Sequence, residues 1–253
     1  MRRIYRIDYK GEPRHAVERD GEWRLVQGDI FGGHEPGEVI PSNAGRLLAP
    51  VIPSKIVCVG LNYKDHAAEV NKPLPPEPLL FIKPSTSVIG PGETIVIPPG
   101  VGRVDHEAEL AVVIGRRAAR VNEADAAACI LGLTCVNDVT ARDLQVKGAG
   151  YTTAKGFDTF APVGPCIATG IDYNRADGLT VEGFVNGDRR QASSTRELIF
   201  PIPRLIAFIS AIMTLLPGDI ISTGTPSGIG PLTAGDRVTI KVEGVGELTN
   251  PVG

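Results

Sequence analysis

Glu107 and Glu109 in the run Val104-Asp105-His106-Glu107-Ala108-Glu109-Leu110, together with Asp138 of Asn137-Asp138, can bring three carboxylates to one point. The stretch Glu107 to Ile114 reads as a strand, so side chains two apart share a face and both glutamates project together. Neighbouring carboxylates repel, and a divalent cation relieves that repulsion. Oxygen ligands without Cys and with little His point to Mg²⁺, with Mn²⁺ as the alternative, rather than zinc. The pattern alone is also compatible with two plainer roles. Alternating acids mark the solvated face of an edge strand, and Asn-Asp after an apolar run caps turns and helices. Asp138 follows the apolar Cys129 to Val136, where a buried acid needs a partner.

His66 and Glu69 form a second pair. Asn62 is placed to cap a short helix running through Glu69, with Asp65 at the capping-box position. Three residues apart on such a helix, His66 and Glu69 meet on one face. Taken alone, a helical His is equally a surface or a satisfied core residue. Lys155, in Tyr151-Thr152-Thr153-Ala154-Lys155-Gly156-Phe157, reads by itself as a solvated loop lysine.

Positioning these groups falls to a mixed, mainly β chain with a few helices. Its 253 residues are 42% hydrophobic and 22% charged, and 30 Gly with 21 Pro imply many turns. Ile4 to Tyr9 alternates, and His15 to Arg19 can pair with Glu22 to Val26 across Asp20-Gly21. These strands form a small N-terminal β-rich domain, 1–53. Pro50-Val51-Ile52-Pro53 then leads into the main domain, 54–253. Lys55 to Val59 is strand-like, and Lys72 to Pro78, with four prolines, is a semi-rigid loop suited to a lid. Asn122 to Leu133 reads as a capped helix and Asn186-Gly187 as a hairpin turn. Leu205 to Leu216 reads as a buried or interfacial helix with Pro203 in its first turn. Ile220 to Thr223, Arg237 to Val242 and Gly246 to Thr249 read as strands.

Composition narrows the partners. Aromatic content of 5% and a net charge of −3 argue against nucleic acid. The longest apolar segment falls well short of the roughly 20 residues that span a bilayer, so no membrane association is expected. The basic start, Met1 to Arg6, lacks the apolar stretch of a signal peptide, which favours a cytoplasmic protein. Cys58, Cys129, Cys135 and Cys166 have no paired short spacing and read as reduced, buried thiols.

Six segments in order carry a resemblance: Val57 to His66, Phe81-Ile82-Lys83-Pro84-Ser85-Thr86-Ser87, His106 to Leu110, Asn137 to Asp143, Ala154 to Asp158, and Thr223-Gly224-Thr225-Pro226-Ser227-Gly228-Ile229-Gly230. Together they resemble the fumarylacetoacetate hydrolase superfamily, specifically its bacterial acylpyruvate and fumarylpyruvate hydrolases and hydroxyheptadienedioate isomerases. The resemblance covers Ser54 to the C-terminus. It implies a β-sandwich roll, a homodimer, and Glu107, Glu109 and Asp138 as magnesium ligands. It also implies that His66 and Glu69 activate water, and that Lys155 neutralises the substrate's carboxylate or enolate. Lys83, Gly224 and Thr225 become candidate substrate contacts. His106 is expected to be structural, and Arg142 to pair with Asp143 or to support Asp138.

The expected substrate is a small 2-oxo acid, and the expected reaction is hydrolysis of a C–C bond in a 2,4-dioxo acid with release of pyruvate. Presence of both His66 and Glu69 favours it. Isomerisation of 2-hydroxyhepta-2,4-diene-1,7-dioate and decarboxylation of oxaloacetate use the same parts. A non-catalytic carboxylate- or metal-binding protein is the alternative of another class, and the intact triad and dyad oppose it. One departure concerns the substrate: relatives place Trp-Thr-Arg before Ala-Lys, whereas this chain has Tyr151-Thr152-Thr153. It therefore lacks one arginine that could pair with a second substrate carboxylate.

Overall fold

The computed structural model describes residues 1–145 and 150–253. Its organising element is the strand Ala108–Ile114, all seven residues of which are buried. A strand covered on both faces lacks the usual apolar-in, polar-out alternation. Leu110, Val112 and Ile114 enter one core cluster with Val181, Val238 and Ile240. Ala111 and Val113, on the face that continues Glu107 and Glu109, enter another with Ile56, Cys58 and Val136. The two glutamates thus sit at the end of an otherwise apolar face.

Around this strand lies one large mixed sheet. Ile130–Asn137 pairs antiparallel on one side, and Ile220–Ser222 on the other. Ile56–Gly60 and then Leu79–Lys83 follow beyond Ile220–Ser222. On the far side Ala161–Thr169 pairs with Ile130–Asn137 and also with the N-terminal strand Arg2–Tyr9. The meander Glu12–Arg19, Glu22–Asp29 and Gly33–Ile40 therefore extends the main sheet by continuous hydrogen bonding. A second sheet, Asp188–Ser194, Thr180–Val185, Arg237–Val242 and Gly246–Pro251, covers the Leu110 face, and a three-stranded sheet joins Thr140–Ala141, Val104–His106 and Gly230–Leu232. The chain is mainly β with few helices, as its composition and punctuation imply.

Both expected hairpin turns are present. Asp20 and Gly21 have φ of 55° and 83°, and Asn186 and Gly187 have 53° and 86°. Two successive left-handed residues make the turn whose twist matches antiparallel strands, which is why Gly follows Asp or Asn there.

Other expectations differ from the structure. Asn62 does not cap the helix Lys64–Glu69; Tyr63 occupies the cap position without a side-chain bond. The Asn62 amide instead bonds the backbone of Phe200 and Thr223 across the fold. Asn122 to Leu133 is a 3₁₀ segment, Glu123–Cys129, followed by the strand that starts at Ile130. The run Ile130-Leu131-Gly132-Leu133 finds antiparallel partners in Val112 to Ile114, and sheet pairing prevails over helix propensity. The long helix spans Ile202–Ile212 with Pro203 in its first turn as expected, but it ends before Leu216, with Met213 extended at its C-cap.

Leu110 is fully buried at the centre of this arrangement. Leu110→Ala is expected to lower the unfolding free energy by about 2–5 kcal/mol, read from urea denaturation. Leu74→Ala, at a side chain 54% exposed, is expected to change it by less than about 0.5 kcal/mol.

Candidate active site

Glu107 lies where the chain passes from the strand Val104–His106 to the strand Ala108–Ile114. Asn137 fixes this junction: its side-chain oxygen accepts from the Glu107 N–H at 3.0 Å, and the Asp138 N–H donates to the Glu107 carbonyl at 2.9 Å. Antiparallel register places Asn137 opposite Ala108, so Asp138 emerges beside the two glutamates. Oxygens of Glu107, Glu109 and Asp138 lie within 4.8 Å of one another, and all three residues are buried.

Three cations surround the cluster. Lys155 Nζ donates to Glu107 at 2.8 Å, to Asp138 at 2.5 Å and to the Thr140 hydroxyl at 2.8 Å. Lys155 is therefore a buried member of the cluster rather than a solvated loop residue. Lys83 Nζ donates to the other Asp138 oxygen at 2.6 Å and to the Val139 carbonyl at 3.0 Å. This expected substrate contact is fully buried, does not line the cavity and stands behind Asp138. Arg142 bonds Asp105 at 2.7 Å, Gln145 at 2.7 Å and Glu107. It does not pair with Asp143, whose carboxylate accepts from the Arg103 N–H at 3.0 Å. The reason is register: Thr140 lies opposite Asp105 in the small sheet, which brings Arg142 to a fully buried acid that needs a cation.

Glu109 is held differently. Its carboxylate accepts from the Ser222 hydroxyl at 2.6 Å and the Gly224 N–H at 2.9 Å, and no Lys or Arg among the described residues pairs with it. Gly224 has φ of +102°, and a Cβ there would fall 2.8 Å from Asn62 Cβ, so the position requires glycine. Its amide, an expected substrate contact, donates to Glu109. Thr225 lines the cavity, with its hydroxyl donating to the Ala108 carbonyl at 3.0 Å and accepting from Gln191 at 2.8 Å. Gln191 carries no signal in the sequence because it sits in a strand of polar residues. Its oxygen accepts from the Ala108 N–H at 2.9 Å and meets the His106 ring at 3.0 Å, which makes His106 structural.

These surroundings drive the two glutamates apart. Burial alone raises the Glu107 carboxyl, but Lys155 and Arg142 outweigh it and hold the group well below the usual range. Burial, then the charges of Asp138 and Glu107, push Glu109 up to about 8. The cluster is thus short of positive charge at Glu109. Three converging hard oxygens with that deficit fit a divalent cation.

His66 and Glu69 are brought together as expected. His66 Nδ1 lies 2.8 Å from one Glu69 oxygen, and the Gly228 N–H donates to the other at 2.8 Å. A carboxylate accepts, so Nδ1 carries the proton and Nε2 is left for chemistry. His66, Lys155, Arg142 and the three acids line one cavity of ≈120 Å³. A larger cavity of ≈570 Å³ in the N-terminal meander contains none of these groups. Phe81 and Tyr151 stack at 4.7 Å on the wall of the smaller one.

The chain has counterparts among known proteins. Residues 55–253, well over half of the chain, match the family model described as fumarylacetoacetate (FAA) hydrolase, C-terminal. The chain belongs to the fumarylacetoacetate hydrolase family. Residues 2–50 match a second model, Rv2993c-like, N-terminal. The crystal structure of a 5-carboxymethyl-2-hydroxymuconate delta-isomerase from Mycobacterium smegmatis is 44% identical with a TM-score of 0.91, covering 99% of this chain and 98% of that one. A 2-hydroxyhepta-2,4-diene-1,7-dioate isomerase from Mycobacterium marinum is 42% identical at the same TM-score of 0.91, covering 100% and 98%. The mitochondrial oxaloacetate tautomerase FAHD2B of Bos taurus is 42% identical over 224 residues, 85% of this chain and 71% of the relative. The fumarylacetoacetate hydrolase family is a family of enzymes, and this chain is one of them. No helix among the described residues is long and apolar enough to cross a membrane.

The raised Glu109 carboxyl gives cation binding a definite pH dependence. Because the group holds its proton more tightly folded than unfolded, its stabilising contribution is complete below its ordinary value of 4.5 and is lost as pH rises through about 8. A cation competes with that proton, so Mg²⁺ used as a probe is expected to bind more tightly as pH rises toward 8 and to plateau above it. Calorimetry in buffers of different ionisation enthalpy is expected to show release of about one proton at pH 6.5 and little at pH 9. Glu109→Gln is expected to remove the pH dependence and to weaken binding.

Proposed function

We propose that this enzyme moves a proton between the C2 oxygen and C3 of a short 2-oxo acid, interconverting its enol and keto forms, with oxaloacetate as the leading substrate. The observation that carries this reading is the His66–Glu69 pair facing the carboxylate cluster across one small cavity. At ≈120 Å³ it lies well below the roughly 300–1,000 Å³ of sites for drug-sized ligands, which suits a four-carbon acid. The similarity to an oxaloacetate tautomerase and to two isomerases supports proton transfer as the class of reaction.

The chain's own residues divide the work. His66 Nε2 takes or returns the migrating proton, while Glu69 fixes the ring tautomer through Nδ1. Glu69 is in turn held by the Gly228 amide, so the imidazole has little freedom to rotate. Lys155 and Arg142 keep Glu107 ionised and place positive charge beside the reacting oxygens. Mg²⁺, held by Glu107, Glu109 and Asp138, would supply further positive charge to the 2-oxo acid's paired oxygens. Phe81 and Tyr151 stack to form one wall of the cavity.

A second reading is hydrolysis of a C–C bond in an acylpyruvate, and the same dyad favours it, since a His–Glu pair also activates water. The two separate cleanly in an assay. With Mg²⁺, loss of the enol absorbance of oxaloacetate without pyruvate formation is the expected result. Pyruvate and acetate from acetylpyruvate would instead establish the hydrolase, and pyruvate from oxaloacetate a decarboxylase. His66→Ala is expected to lower kcat/KM for enol–keto conversion by about 10²–10⁴. Glu107→Ala combined with Glu109→Ala is expected to abolish it.

A further inference from the structure

Among the described residues, three Lys or Arg side chains line the active-site cavity: Lys72, Arg142 and Lys155. Two of them are committed. Lys155 bonds Glu107 and Asp138, and Arg142 is shared by Asp105, Glu107 and Gln145. Lys72 forms no ion pair with any described carboxylate, so its charge at the cavity is available to a ligand.

The backbone fixes where this charge starts. The helix that carries His66 and Glu69 ends in a turn with Asn71 in the left-handed region at φ of 51°. The Asn71 N–H donates to the Ala68 carbonyl at 3.1 Å, and the Lys72 N–H reaches back to Ala67 at 2.9 Å. That paired closure is a Schellman motif, and it sets Lys72 at a fixed position relative to the dyad. Pro73, Pro75 and Pro76 follow and restrict the backbone immediately beyond. Lys72 is therefore a cation on a constrained stalk, though its own side chain is exposed.

We propose that Lys72 is the specificity-determining residue for a second carboxylate, so that the substrate class is the 2-oxo dicarboxylic acids rather than the monocarboxylic ones. This rests on the proton-transfer reading above for where the 2-oxo acid end lies: at the carboxylate cluster, with the remainder of the molecule extending along the cavity. A substrate anchored there by its paired oxygens keeps its far end for the one lining ammonium that no described protein acid has claimed. The lysine thus takes the part left vacant by Tyr151-Thr152-Thr153, which brings no arginine to the cavity.

Malate and lactate are stable probes, because both carry a carboxylate beside an oxygen-bearing carbon and differ by a single added carboxylate group. Calorimetric binding to the full chain with saturating Mg²⁺ is expected to favour malate. Lys72→Gln is expected to weaken malate about tenfold, the order of one charge-assisted hydrogen bond, without changing lactate. Lys72→Arg is expected to retain most of the malate affinity, and added salt to narrow the gap between wild type and Lys72→Gln. In turnover of oxaloacetate, Lys72→Gln is expected to raise KM and spare kcat.

Equal weakening of both probes, or no change in either, would overturn the assignment. So would a wild-type enzyme that does not distinguish malate from lactate, whatever its activity. A malate preference that depends on Lys72, in an enzyme that fails to convert enol-oxaloacetate, leaves the assignment standing and removes only the proton-transfer reading.

Discussion

Burial of three carboxylates within 4.8 Å of one another is the constraint on which the rest of this structure depends. Removing such groups from water is costly unless opposite charge and hydrogen bonds replace the solvent. The fold answers with three cations from three separate places. Lys83 ends the edge strand Leu79–Lys83, Arg142 opens a 3₁₀ turn, and Lys155 ends the helix Thr152–Lys155. None is a sequence neighbour of the acid it serves. The site consequently exists only when the main sheet, the small sheet and the short helix are all in place.

Within that frame, identical side chains acquire different chemistry from their partners. Glu107 faces Lys155 and Arg142 and is held ionised; Glu109, two residues on, faces a hydroxyl and an amide and is pushed up to about 8. Hydrogen bonds from neutral donors favour the carboxylate but cannot cancel two adjacent negative charges. A cation at the cluster therefore gains most from Glu109, the ligand the protein itself leaves least compensated. The protein places its cations on Asp105, Glu107 and Asp138 and leaves Glu109 with neutral donors alone.

What could be read from the sequence was local. Period-two spacing put Glu107 and Glu109 on one face, i to i+3 spacing joined His66 to Glu69, and Asp20-Gly21 and Asn186-Gly187 specified their turns. Choices settled by distant partners were not legible. Asn62 has the side chain of a cap, yet bonds Phe200 and Thr223. Arg142 has Asp143 beside it in sequence, yet the pairing of Thr140 with Asp105 sends it to Asp105 and Glu107. Asn122 to Leu133 carries helix signals, but the run from Ile130 is claimed by a buried strand. Lys83 and Lys155 sit among ordinary residues, and only the sheet shows that each ends on Asp138.

The loop Thr223 to Gly230 links the two halves of the site. Its Gly224 amide holds Glu109 in the carboxylate cluster, and its Gly228 amide holds Glu69 in the dyad. Gln191 clamps the same loop at Thr225 and Pro226 while bonding Ala108 between the two glutamates. Gln191 is fully buried, and its amide makes bonds in both directions, so the clamp resists slippage. The proton transfer proposed above would require the substrate's oxygens and its C3 to meet the cluster and the imidazole at a fixed separation. A single loop that bonds a carboxylate on each side sets that separation through the backbone, where neither the dyad helix nor the buried strand could set it alone.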